Sequence, residues 1–198
     1  MPRLALNKTS LTRETKQLDT YERFLPSLDL KRRQLIAERN KARRDVAAAA
    51  REIRELEEGC GNKLPMAADK RLNLQGLVTV KSVGIGQENL VGLRLPVLED
   101  VGLERVEHAF LARPHWIDAL ADMLGDLLHM RIRMQVKQHR LEILEGAVKK
   151  ITQRVNLFDK VLIPRTRDNI RRIRIKLSDA EKAAVVNAKI AKRKRAHA

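Results

Sequence analysis

The sequence predicts a mainly α-helical protein: a long antiparallel two-helix coiled coil made by its N- and C-terminal stretches, with a small middle segment containing a β-hairpin. Three observations carry this prediction. Apolar residues recur every seven positions along both ends, the short middle is rich in Gly and β-branched residues, and only 3% of the 198 residues are aromatic against 33% charged. A narrow apolar stripe at period 3.5 marks a helix that buries only a seam against another helix. Few aromatics with many Lys, Arg, Leu and Ala suit such seams better than a thick core. The organisation follows as an N-terminal coiled-coil helix over residues 1–58, a middle segment over 59–114, and a C-terminal coiled-coil helix with a basic tip over 115–198.

The first helix is read from two interleaved seam rows. One runs Leu11, Leu18, Leu25, Arg32, Arg39, Val46, Ile53, and the other Glu14, Tyr21, Leu28, Leu35, Ala42, Ala49, Leu56. Thr9, Ser10 and Thr12 are candidate N-caps, and Gly59 and Gly61 supply a stop. Between them lie roughly 48 residues, about 70 Å of helix at about 1.5 Å per residue. Pro26 falls inside this helix, and because the apolar register passes through it from Leu25 to Leu28, a bend is expected there and not a break. Arg32 and Arg39 hold seam positions. They snorkel, pair across the coil with acids such as Glu142 or Glu145, or set the register.

Residues 59–76 read as irregular. Leu77–Val83 alternates with β-branched residues, Gly84-Ile85-Gly86-Gln87-Glu88 is turn-like, and Asn89–Leu95 resumes a strand pattern that stops at Pro96. This is a β-hairpin signal. An isolated hairpin is marginal in water, so it should pack on the helices or on a partner. Residues 97–113 are assigned a short helical turn. Trp116, the only tryptophan, reads as an anchor for the hairpin against the helices in preference to a hot spot for a partner.

The second helix should start near Pro114 or His115 and run to about Ala191. Its seam rows are Leu120, Leu127, Met134, Leu141, Val148, Val155, Leu162 and Met123, Met130, Lys137, Leu144, Ile151, Phe158. At Pro164 the stripe continues with a one-residue offset, as Ile163, Ile170, Leu177, Ala184 and Thr166, Ile173, Ala180. A bend with a change of facing direction accounts for that offset. Paired antiparallel, the second helix outruns the first by roughly 20–30 residues, about 30–45 Å of single-helix tip.

Charge marks that tip. The formal net charge of the chain is +16, and residues 159–198 contribute 13 basic against 4 acidic residues. A basic end attracts an acidic partner: nucleic acid, anionic lipid or an acidic protein surface. The run Arg165–Leu177 surrounds an Ile170/Ile173/Leu177 stripe with more positive charge than its neighbours neutralise, so it can touch a membrane, a nucleic acid or a protein socket.

Enzyme chemistry finds no support. The five histidines lack metal-ligand spacing, and Cys60, the single cysteine, has no catalytic partner and fits a reducing compartment. Gly84-Ile85-Gly86 precedes a strand-like segment, whereas a nucleotide loop opens a helix. No phosphate loop, nucleophile elbow or His-Glu-x-x-His motif is present. No catalytic, cofactor-binding or metal-binding residue is therefore assigned. The start of the chain lacks the apolar core of a secretory signal, and no stretch approaches the ~18 consecutive apolar residues that a membrane span needs.

Val155-Asn156-Leu157-Phe158-Asp159-Lys160-Val161-Leu162-Ile163-Pro164-Arg165, with Asn169-Ile170 following, resembles the late signature of the D-subunit family of V-type and A-type rotary ATPases. Asn89–Pro96 is similar to that family's middle pattern, and Asn7-Lys8-Thr9-Ser10-Leu11 to its opening. The resemblance runs in order along essentially the whole chain. It implies a non-catalytic central-stalk rotor without a bound cofactor, transmitting torque between ATP chemistry and ion translocation. The implied partners are the A and B subunits of the catalytic ring, the small F subunit, and the adaptor subunit on the membrane ring. The implied location is peripheral, at the cytoplasmic face of a membrane. Contact residues for the A/B ring would be Arg165, Arg167, Arg171, Arg172, Arg174, Lys192, Arg193, Lys194 and Arg195, and for the middle segment Val80, Leu93 and Leu95. The rival reading is a basic coiled-coil nucleic-acid binder or scaffold; against it, no reading helix or aromatic platform is evident in the sequence. The gamma shaft of F-type synthases shares the two-helix plan, but its larger middle domain does not fit the short segment between these helices.

Overall fold

The computed structural model describes residues 5–68, 76–105 and 116–196. Helix α1 spans Lys8–Lys63, strands β1 and β2 span Val78–Leu90 and Leu93–Arg105, helix α2 spans Trp116–Leu157, a π-helical turn spans Phe158–Leu162, and helix α3 spans Ile163–Ala196. The chain is mainly helical, with one two-stranded antiparallel sheet between the helical stretches. It divides into two compact units. One joins the start of α1, through Arg32, to the helical stretch from Lys150 onward. The other is Arg33–Lys149.

In the first unit the heptad seam closes as its spacing requires. Val155, Ile163, Ile170 and Ile173 are buried, with Ile173 completely inaccessible. Tyr21 and Phe158 meet edge to face, their ring centroids 5.3 Å apart, an arrangement that aromatic quadrupoles favour. The helix begins differently from the expectation. Asn7, not Thr9, Ser10 or Thr12, is the cap: its Oδ1 accepts the Ser10 amide at 2.8 Å, satisfying a donor that the first turn leaves orphaned. Thr12 instead donates its hydroxyl back to the Lys8 carbonyl within the helix. Pro26 lies inside the continuous α1. Its side chain is exposed, and half-buried Leu25 and Leu28 keep the seam running on either side.

In the second unit Leu35, Ala42, Ala49 and Ile53 of α1 and Leu120, Leu144 and Val148 of α2 are buried. Two cross-helix ion pairs, Arg43–Glu145 and Arg131–Glu57, both 2.6 Å, fix the antiparallel sense. The seam arginines do not make the cross-coil pairs considered for them. Arg32 pairs with Asp29 on its own helix, and Arg39 donates to neighbouring Asn40 at 2.9 Å while its Nε is buried without a hydrogen-bond partner. The facing acid Glu145 is taken by Arg43, one helical turn further along α1.

Gly59 and Gly61 do not stop α1. Glycine costs a helix about 1 kcal/mol without breaking it, and the helical pattern continues as the Leu64 amide bonds the Cys60 carbonyl at 3.0 Å. Pro65 ends it, since a residue before proline is driven out of the α region; Pro65–Ala68 forms a short 3-10 turn. Cys60, Leu64, Val78, Trp116 and Leu124 pack around a core of Leu77, Ile117 and Leu120, so Trp116 does anchor the base of the hairpin to the helices. The expected start of the second helix, at Pro114 or His115, lies outside the described residues.

The hairpin is present but turns later than its glycines imply. Gly84, Ile85 and Gly86 are extended and pair with Asp100, Leu98 and Val97, and the register shifts between Val80 and Ser82 and between Gly84 and Ile85. The turn is the two-residue Val91-Gly92, with φ of 53° and 77°, the sign pattern of a type I′ turn, whose twist matches paired strands. Pro96 does not stop β2; it pairs opposite Gln87, a position an edge strand tolerates. β2 then continues to Arg105, so residues 97–105 are strand and not a helical turn.

Candidate protein-interaction site

α3 contains two unlike stretches. From Ile163 to Leu177 its apolar side chains turn into the seam, apart from Ile175, which is 53% exposed. From Ser178 to Arg195 every side chain is exposed, including Val185, Val186 and Ile190, at 56%, 54% and 48%. That second stretch carries six basic and two acidic residues, ending in Lys192-Arg193-Lys194-Arg195. Val186 and Ile190, one turn apart, form an apolar facet edged by Lys189 and Arg193. Alanines replace the larger seam residues here, at Ala180 and Ala184. High helix propensity keeps such a segment helical without a packing partner.

The residues assigned to ring contact fall into three groups. Lys192, Arg193, Lys194 and Arg195 lie on the uncovered helical end. Arg171, Arg172 and Arg174 are exposed and make no ion pair among the described residues. Arg167 is exposed but donates to Glu22 at 2.7 Å, and Arg165 also has an interaction within the chain. Exposed pairs of this kind contribute little to stability, about 0–1 kcal/mol, and exchange partners readily. The apolar facet at Val186 and Ile190 was absent from the sequence-based assignment, although i,i+4 spacing on an otherwise alanine-rich helix is a visible signal.

In the middle segment Val80 is 43% exposed, Leu93 is half-buried and Leu95 is fully buried. The Leu95 side chain is spent on its own chain's interior. Beside it an open groove of about 580 Å³ is lined by Val80, Val83, Ile85 and Pro96 of the hairpin and Ile132 and Val136 of α2. Arg140 holds the hairpin to α2 through Glu88 at 2.7 Å, and Arg105 pairs with Asp122 at its base. Glycines on either side of Ile85 made it read as part of a turn; in extended strand it is exposed, as is Val83, which the strand pattern already covered.

Among the described residues no group of three His, Cys, Asp or Glu side chains is placed to hold a metal ion, and no described helix is long and apolar enough to cross a membrane. What the arrangement offers is surface: a cationic helical end with an apolar facet, and an apolar groove braced by ion pairs.

Comparison with known proteins bears on what those surfaces serve. The family model for the D subunit of ATP synthase matches residues 10–193. The V-type ATP synthase D subunit of Borreliella burgdorferi is 30% identical over 192 residues, covering 97% of this chain and 95% of that one. The protein of the same name from Chlamydia muridarum is 32% identical over 196 residues, covering 96% and 95%, and that of Chlamydia pneumoniae is 29% identical over 194 residues, covering 96% and 91%.

Proposed function

This chain belongs to the ATP synthase D-subunit family, the non-catalytic central-stalk component of V-type rotary complexes, and on that premise we propose that it is a torque shaft whose uncovered basic end is the part inserted into the catalytic ring. The observation that carries this reading is the contrast within α3. A helix that buries its seam up to Leu177 runs on to Ala196 with every described side chain from Ser178 to Arg195 exposed. An unpaired helix of this composition gains stability and specificity from a socket with apolar walls and acidic groups, and the A and B subunits are the proposed walls.

Shaft function needs no reactive group. A rotor acts by making different contacts with otherwise equivalent sites as it turns. Coupling requires only that its contact free energy differ between their conformations. A tip whose Val186–Ile190 facet is edged by Lys189 and Arg193, on a helix that carries exposed Arg171, Arg172 and Arg174 before it, is asymmetric about its own axis and supplies such differences. Arg165 and Arg167 join this surface by exchanging their intrachain partners for acids of the ring.

The middle segment is the proposed seat of the F subunit and of the adaptor subunit on the membrane ring. The hairpin groove, with exposed Val80, Val83 and Ile85, supports that assignment better than Leu95 does. The complex as a whole then places this chain peripherally, at the cytoplasmic face of a membrane. The test is assembly with a matched A/B ring. The full chain should co-purify with that ring and with the F subunit, and should hydrolyse no ATP alone. A chain that folds but does not bind the ring, or that binds nucleic acid in a salt-resistant and sequence-specific way, contradicts the reading.

A further inference from the structure

The π turn at Phe158–Leu162 has no role in the shaft reading, yet the heptad arithmetic around it is specific. Continued without interruption, the α2 seam rows would pass from Val155 and Phe158 to Leu162, Arg165, Asn169, Arg172 and Lys176. That face cannot close a coiled coil, because it would bury three cations. The residues actually buried are Ile163, Thr166, Ile170 and Ile173, each one position later, while Arg165, Arg172 and Lys176 are exposed. The shift happens inside the π turn, where the Ile163 amide bonds the Phe158 carbonyl five residues back. A π turn takes up one residue more than an α turn. One residue is about 100° of helix rotation at 3.6 residues per turn.

We propose that this π turn sets the rotational phase of α3: it turns the aliphatic row into the seam and thereby aims the arginine face outward. Its surroundings fit the role. Pro164 follows directly, with no amide to donate and a ring that crowds the carbonyl four residues back in a regular α-helix. The last carbonyl of the turn, on Leu162, accepts the Thr166 hydroxyl at 2.7 Å. On either side the phase is pinned to α1. Phe158 meets Tyr21 edge to face, and Asn169 donates to Glu14 Oε2 at 3.0 Å. Glu14 is one of the few buried charged or polar residues among those described. In the uninterrupted phase Asn169 would sit in the middle of the seam instead of at its rim beside Glu14.

The inference does not depend on the ring contact proposed above, because its readout is which face the isolated chain exposes. The experiment deletes one residue where the extra one is absorbed. In the full chain with Cys60→Ser, exposed Lys160 is deleted together with Pro164→Ala, so that a regular α turn can replace the π turn. Pro164→Ala alone is the parent. A cysteine is introduced as Ile170→Cys or Arg172→Cys, and thiol-labelling rates are measured with thermal unfolding. The expected result is that the face is preserved: position 170 stays protected, position 172 labels at least about tenfold faster, and the melting temperature is no lower than the parent's. Equal labelling at the two positions, exchange of the protected face, or loss of helical structure on deletion would each overturn the proposal.

Discussion

The two stretches of α3 share a helix, a charge excess and a seven-residue pattern, and they differ in one respect. Up to Leu177 the pattern is closed by α1, with Ile173 inaccessible to solvent; beyond it nothing among the described residues covers the side chains, and Ile190 stays 48% exposed. The same covalent helix is therefore held by burial in its first half and by backbone propensity in its second. Heptad spacing declares that a face wants a partner without saying whether the partner is in the same chain. Length decides that: α1 begins at Lys8, and the second helical stretch simply runs past it.

That contrast can be broken from either side. Ile173→Ala should cost about 2–5 kcal/mol of stability in the isolated chain, as expected for truncating a fully buried aliphatic residue. Ile190→Ala should change stability by less than about 0.5 kcal/mol, as for an ordinary surface position. Thermal or urea unfolding of the two variants checks this, and equal losses would mean that the end of α3 is packed after all. The order reverses in binding, where Ile190→Ala should weaken association with the A/B ring.

Electrostatics should come next in size. Replacing Lys192, Arg193, Lys194 and Arg195 together by Ala should weaken ring binding by about 1–4 kcal/mol, if each exposed charge contributes the usual fraction of about 1 kcal/mol. The loss should shrink as salt is raised, because screening removes the same contribution from the unmodified chain. A salt-independent loss would point to packing instead of charge.

The smallest expected gain in stability lies in the hairpin. Val91 is β-branched and held at φ 53°, where branched side chains are strained. Val91→Asn supplies the Asn-Gly pair that type I′ turns favour and should stabilise the second unit by about 0.5–1 kcal/mol, read from amide exchange in β1 and β2. Unchanged or faster exchange would show that Val91 is held there by packing worth more than the strain.

Much of this architecture was legible because one interaction dominates it. Seam burial at period 3.5 depends on local sequence, so Leu35, Ala42, Ala49, Ile53, Leu144, Val148 and Ile151 were placed on the buried face by spacing alone. Features set by competition between weak interactions were not legible. The Gly84–Glu88 stretch carries turn residues, yet pairing between β1 and β2 along their whole length outweighed them and moved the turn to Val91-Gly92. Gly59 and Gly61 are poor helix formers, but the packing of Cys60 and Leu64 against the hairpin base carried α1 past them. The offset at Pro164 was visible as arithmetic; its physical cause, one residue absorbed in a π turn where a bend was expected, depends on backbone hydrogen bonding that residue types do not encode. Leu95 illustrates the limit for sites. Strand alternation shows that a face is apolar but not whether the chain or a partner covers it.

The central claim is that the chain beyond Leu177 engages the catalytic ring and carries torque. It is tested most directly by ending the chain after Leu177 and measuring ATP-driven ion transport by the reconstituted complex. Since that segment buries nothing among the described residues, the shortened protein should melt at the unchanged temperature and still bind the F subunit, while ion transport falls to background. A shortened chain that supports transport at the full-length rate would contradict the account.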